Sequence, residues 1–118
     1  MSGTSLDGLD ISYATYKLVA EKSDDFELLA FETYPYPEDL SNELIAIESF
    51  TPVSLAMLDK KIGAFYASCV NHFCIKNQID KANIDAIACH GQTLYHQPYN
   101  GFTVQIGCGD TLAYRTNI

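Results

Sequence analysis

Leu55, Leu58, Ile62, Phe65, Cys69 and Phe73 follow one another at steps of three or four residues. That spacing keeps apolar side chains on one side of an α-helix. Tyr66 and Val70 widen the stripe. Thr51-Pro52 just ahead of it is a start signal: a hydroxyl that can accept from a free amide, then a ring that fixes φ where no helical bond is lost. The pattern predicts one helix over roughly Val53 to Asn77, with an apolar stripe of about five turns. Such a helix is expected to be the main packing element against the sheet. His72 lies beside the stripe and reads as a structural histidine of the helix surface.

The flanking segments supply strands. Ile11 to Leu18 is rich in Ile, Tyr and Thr, and Phe26 to Tyr34 intersperses Phe26, Leu28, Leu29 and Phe31 with Glu27, Glu32 and Thr33. Both read as strands of an antiparallel meander, turning at Lys22-Ser23-Asp24-Asp25. Tyr34-Pro35-Tyr36-Pro37 is a stiff extended link. Pro37 suits a first helical position, with Glu38 and Asp39 at the positive end of the dipole. Leu40, Leu44 and Ile47 mark one face of a short helix ending near Ser49.

Beyond the long helix, Ile79 to Asn83 is a polar connector. Asp85 to Cys89 is short, apolar and unbroken, the pattern of a buried central strand parallel to its neighbour after a helical crossover. It runs into His90-Gly91-Gln92-Thr93, and the carboxyl ends of buried strands are where open α/β sheets place ligands. Tyr95 to Gly101 reads as a loop closing on an Asn100-Gly101 hairpin turn. Phe102 to Gly107 alternates as a strand, Gly107-Cys108-Gly109 bends the chain, and Asp110 is placed to cap a short helix through Arg115 that stops at Asn117. The fold class is α/β.

The opening stretch, Met1-Ser2-Gly3-Thr4-Ser5-Leu6-Asp7-Gly8-Leu9-Asp10, carries the chemistry. Asp7-Gly8 favours a tight turn, because both positions tolerate positive φ. Clustered backbone N–H groups and the Thr4 and Ser5 hydroxyls would suit a phosphate. The stretch has no Lys or Arg, so it is not a P-loop. Phosphate charge would have to be met by backbone donors and a divalent metal, held by Asp7 or Asp10 through water. A Gly-rich hairpin with a hydroxyl-stabilised turn is the structural alternative.

Composition excludes several classes. The 118 residues suit one domain, and the net charge is −8. That balance disfavours a nucleic-acid surface and attachment to anionic lipid. No apolar run approaches a membrane span, and no signal peptide is visible at the start. Cys69, Cys74, Cys89 and Cys108 form no C-x-x-C pair, which speaks against zinc. Free thiols without a secretion signal suit the cytoplasm. Few residues precede Asp7-Gly8, and the chain stops just after a helix end, so the domain is expected to be incomplete at both ends.

The decapeptide resembles the first phosphate loop of the anhydro-N-acetylmuramic acid kinases, members of the sugar kinase/actin/heat-shock chaperone superfamily. His90-Gly91-Gln92-Thr93 with Pro98, then Thr103-x-Gln105-Ile106-Gly107 and Arg115-Thr116-x-Ile118, is similar to the same family. The resemblance implies a ribonuclease H-like (actin-like ATPase) domain: a mixed sheet with an antiparallel meander, then a helical crossover to a central strand. Residues 1–118 would be the first lobe of a two-domain sugar kinase. The implied reaction is ATP-dependent phosphorylation of 1,6-anhydro-N-acetylmuramic acid with ring opening to N-acetylmuramic acid 6-phosphate, in cell-wall recycling.

By this resemblance Gly3, Thr4, Ser5, Leu6, Asp7, Gly8, Leu9 and Asp10 bind ATP phosphate. Asp7 and Asp10 serve magnesium through water. His90, Gln92 and Thr93 have the donors and acceptors for sugar groups, and Arg115 is a cation for the lactyl carboxylate. The family's general base lies beyond the matched part, so the 118 residues alone are expected to be inactive. One departure is Cys108, where the family commonly has Asp; the nearest carboxylate is Asp110. The alternative is a non-catalytic actin-like module for nucleotide binding or assembly. A serine hydrolase lacks its motifs, since neither Ser-x-x-Lys nor Gly-x-Ser-x-Gly is present. Exposed sheet edge leaves association into homo-oligomers open.

Overall fold

The computed structural model describes residues 8–17 and 25–118. The expected Lys22-Ser23-Asp24 turn and most of the opening loop, Gly3 to Asp7, lie outside these residues. Strands β1 (Leu9–Lys17) and β2 (Asp25–Tyr34) pair antiparallel, from Leu9 opposite Tyr34 to Lys17 opposite Asp25. This is the expected meander. Tyr13 pairs with Ala30 but Ala14 with Leu28, so Leu29 is an extra residue that flips the parity of β2. One face of the sheet therefore carries Leu9, Ile11 and Tyr34, which pack on the core. The other carries Tyr16, Phe26, Leu28 and Phe31, all exposed.

Helix α1 (Glu38–Ile45) follows the proline link, and Pro37 sits at its cap, one position before the expected one. Leu40 and Leu44 are its buried residues. A 3-10 turn covers Ile47–Ser49. Helix α2 (Pro52–Lys76) forms as expected. The Thr51 hydroxyl accepts the Ser54 N–H at 3.1 Å, and Ser54 Oγ accepts the Thr51 N–H at 2.8 Å. This reciprocal cap stabilises the helix start by about 1 kcal/mol. Leu58, Ile62, Tyr66, Cys69 and Phe73 are buried along the predicted stripe. His72 Nδ1 lies 3.1 Å from the Tyr34 hydroxyl, which ties α2 to β2 and supports its structural role.

The central strand expected at Asp85–Cys89 does not form. Residues 84–90 have no strand pairing; only Ile84 and Ile87 are even partly covered, and Ile87 touches the core. A short apolar run becomes a central strand only when neighbours complete its ladder on both sides. Here β1 and β2 pair with each other alone, as do β3 (Gln92–Gln97) and β4 (Phe102–Ile106). The described residues thus form two antiparallel two-stranded sheets, not one mixed sheet.

Strand β3 replaces much of the expected loop after Thr93. Its residues look polar because one face is solvated, which hides the alternation. A 3-10 turn, Pro98–Asn100, joins it to β4, with Gly101 left-handed at φ 76° as the hairpin signal required. Helix α3 (Gly109–Thr116) packs on α2. Asp110 is not its cap. The helix starts at Gly109, so Cys108 takes the cap position without a side-chain bond and Asp110 falls in the first turn. Asn117 stops the helix at φ 61° as expected, its N–H bonded to the Ala113 carbonyl at 2.8 Å.

Candidate active-site edge

The site is built on backbone packed directly against α2. A Cβ at Gly63 would lie 2.5 Å from the Cys108 carbonyl oxygen, so only glycine admits this approach. Asp59 completes the clamp. Its Oδ1 accepts the Gly107 N–H at 2.7 Å, and its carbonyl accepts the Cys108 N–H at 3.1 Å. The turn after β4 is thereby fixed to one turn of the long helix. Gly91 is fixed in turn to β4: its φ is 75°, and a Cβ there would meet the Ile106 carbonyl oxygen at 2.3 Å.

These constraints split the His90-Gly91-Gln92-Thr93 motif between two environments. Gln92 points inward and is 1% exposed. Its Oε1 accepts from the Tyr36 hydroxyl at 2.8 Å, and that hydroxyl lies 2.9 Å from the Tyr66 hydroxyl. A buried amide needs such partners, since leaving its groups unmet costs about 1–3 kcal/mol. His90 is exposed and Thr93 half-buried. Gln105 joins them: its Nε2 donates to Thr93 Oγ1 at 3.2 Å and lies 3.4 Å from His90 Nδ1. The structure thus brings His90 and Thr93 to one edge and sets Gln92 behind it.

The other expected residues lie elsewhere. Arg115 is exposed near the end of α3 and borders a shallow cavity of about 540 Å³ with Met57, Lys60 and Lys61. Its carbonyl accepts from Asn71 Nδ2 at 3.1 Å, and no described contact joins its side chain to His90 or Thr93. Asp10 is half-buried at the start of β1, where its Oδ1 accepts the Thr33 hydroxyl at 2.6 Å. Gly8 and Leu9 are buried, and Leu9 belongs to the core, so only their backbone can serve a ligand. Gly3, Thr4, Ser5, Leu6 and Asp7 fall outside the described residues.

Cys108 occupies the junction between β4 and α3. The Thr111 hydroxyl donates to its sulfur at 3.1 Å, and Lys60 Nζ approaches it at 3.6 Å. The Thr111 hydroxyl bond, then the Thr111 backbone N–H and, less, the Lys60 charge, hold the thiol below its ordinary pKa. Sequence reading had not singled out Asp59, Tyr36, Tyr66 or Gln105 as site residues. Gln105 had a signal in the alternation of β4, and Tyr36 had one in its place between two prolines. Asp59 had none, because a carboxylate on a helix surface looks solvated until its partner is seen.

The model of a family described as Anhydro-N-acetylmuramic acid kinase matches residues 1–118. The chain belongs to this family. A Haemophilus influenzae protein named anhydro-N-acetylmuramic acid kinase is 41% identical over 123 residues, covering 100% of this chain and 31% of its own length. A protein of the same name from Vibrio cholerae is 38% identical, covering 100% of this chain and 32% of its own. One from Bacillus cereus is 35% identical over 125 residues, covering 99% of this chain and 32% of its own. The chain thus spans about a third of the length of these curated relatives. Membership in the anhydro-N-acetylmuramic acid kinase family bears out the resemblance read from the opening loop and from His90-Gly91-Gln92-Thr93.

Proposed function

We propose that this chain is the phosphate-binding and sugar-facing part of an enzyme that phosphorylates 1,6-anhydro-N-acetylmuramic acid. The product is the ring-opened N-acetylmuramic acid 6-phosphate. Family membership supports the reaction class, and the observation that carries the site is the Gly91 turn. By pinning backbone to Ile106, it turns His90 and Thr93 outward while Gln92 is held by Tyr36. His90 and Thr93 offer an imidazole, a hydroxyl and strand-end backbone, which suit sugar hydroxyls and an acetamide.

The loop from Gly3 to Asp10 is proposed to hold the phosphates through backbone N–H groups and the Thr4 and Ser5 hydroxyls. Asp10 fits a magnesium site: it is a half-buried carboxylate at a strand start, and magnesium commonly uses one or two carboxylates and keeps its waters. Asp7 would be its partner in that role. Bound magnesium supplies positive charge against the phosphates during transfer. Gln92 supports the edge from beneath, and Arg115 is proposed to meet the lactyl carboxylate only when the sugar extends toward α3. Activation of the water that opens the anhydro ring is proposed to fall to a carboxylate general base beyond the matched part.

The complete domain is proposed to be actin-like, of the ribonuclease H-like class, forming the first lobe of a two-domain enzyme of the cytoplasm. Among the described residues no helix is long and apolar enough to cross a membrane. A coupled ADP-release assay tests the reading. The full-length protein is expected to release ADP only when the anhydro sugar is present, and the 118 residues alone are expected to release none. Sugar-independent release by the full-length protein would contradict the proposal.

A further inference from the structure

The hairpin of β3 and β4 carries a larger polar surface than the His90–Thr93 edge. Thr93 pairs with Gln105, then Tyr95 with Val104 and His96 with Thr103. Leu94 is therefore an extra residue in β3, a bulge that shifts side-chain parity by one. Without it, Thr93 and His96 would point to opposite faces, because they lie three positions apart. With it, Thr93, His96, Thr103 and Gln105 share a face. The hydrogen bonds agree: His96 Nδ1 lies 3.0 Å from Thr103 Oγ1, and Gln105 Nε2 donates to Thr93 Oγ1 at 3.2 Å. Thr103 and Gln105 stand about 7 Å apart along β4. His90 closes one end of the row beside Gln105.

We propose that this face is an extended saccharide-binding ledge, in which Gln105 and His96 contact the acceptor sugar beyond His90 and Thr93. The inference rests on the amino-sugar reading of the site. Paired neutral donors and acceptors, with no carboxylate or ammonium among them, match a polyhydroxylated and acetylated ligand rather than a strongly charged one. The opposite face of the hairpin carries Val104 and Ile106, and Ile106 enters the core, so the Gln105 end of the ledge is backed by packed side chains. His90, His96, Thr103 and Gln105 are all exposed, so their polar groups are within a ligand's reach.

The test is steady-state kinetics of the full-length protein with Gln105→Leu, His96→Ala and, outside the ledge, Tyr99→Ala. Losing one net hydrogen bond of about 0.5–1.5 kcal/mol corresponds to a roughly 2- to 12-fold rise in sugar KM. Gln105→Leu and His96→Ala should each show that rise while ATP KM and Tm stay at wild-type values. Tyr99→Ala should change none of them. Unchanged sugar KM in both ledge variants would overturn the inference, as would ATP KM rising in step.

Wild-type protein without sugar-dependent turnover would instead overturn the kinase reading. The ledge is then judged by titrating 1,6-anhydro-N-acetylmuramic acid into wild-type protein and following the imidazole NMR signals. Movement of the His90 and His96 signals supports the ledge, and stationary signals overturn it.

Discussion

Two regions with equally apolar sequences are covered very differently. Helix α2 buries Leu58, Ile62, Tyr66, Ala67, Cys69 and Phe73 under α1, α3 and the strand segments. Strand β2 is as rich in Phe and Leu, yet none of its residues is fully buried, and Phe26, Leu28 and Phe31 are about half exposed or more. Hydrophobicity drives burial only where a second layer is present to receive it. The proposed site edge follows the first region: Asp59 and Gly63 of α2 hold the turn next to Gly91, and Tyr66 of α2 belongs to the hydroxyl pair behind Gln92. The outer face of β1 and β2 lies in the second. Besides its own strand pairing it holds the Thr33–Asp10 hydrogen bond at 2.6 Å and the Tyr16–Phe26 stack at 5.9 Å.

Substitutions can break or sharpen this contrast. The largest effect is expected for Ile62→Ala. Ile62 is 0% exposed, so truncation should lower unfolding stability by about 2–5 kcal/mol in a denaturant titration. Gly63→Ala should follow, at about 1–3 kcal/mol, because the new methyl must displace the Cys108 backbone. Its helix-propensity gain of about 1 kcal/mol offsets only part of that. Tyr36→Phe removes a hydroxyl that serves both Gln92 and Tyr66, and about 1 kcal/mol should be lost. If the support of the edge works as proposed, that variant also raises sugar KM.

The pH dependence separates the two regions as well. Burial pushes the Cys69 thiol from 9.0 up to about 11. The folded chain then holds this proton longer than the unfolded chain does. Its stability contribution is complete below about pH 9 and is lost as pH rises toward 11. Cys69→Ala should flatten the alkaline slope in thermal melts at several pH values. The smallest effect belongs to the exposed face: Phe31→Ser should change stability by no more than about 0.5 kcal/mol. A large loss there would mean that the face is covered, and would erase the contrast.

Long-range order was legible where local chemistry determined it. The start of α2 was readable because Thr51, Pro52 and Ser54 act within one turn, and its stripe because burial repeats with the helical period. Asn117 and Gly101 were readable for the same local reason. Asp85 to Cys89 was not, since strand formation depends on partners that a sequence does not place. The polar residues of β3 concealed a strand whose alternation is broken by the Leu94 bulge. At the site, the histidine-glycine-glutamine-threonine motif was visible, but its division into an inward Gln92 and outward His90 and Thr93 was not. That division comes from Gly91 meeting Ile106, a tertiary contact. Asp59 was hidden for the same reason.

The most direct test of the proposed chemistry is phosphorus NMR of the full-length protein incubated with magnesium-ATP and 1,6-anhydro-N-acetylmuramic acid. A new phosphomonoester signal coupled to the sugar's C6 methylene protons is expected, and only when both substrates are present. Retained nucleotide binding with no such signal would contradict the kinase and favour a non-catalytic nucleotide-binding module.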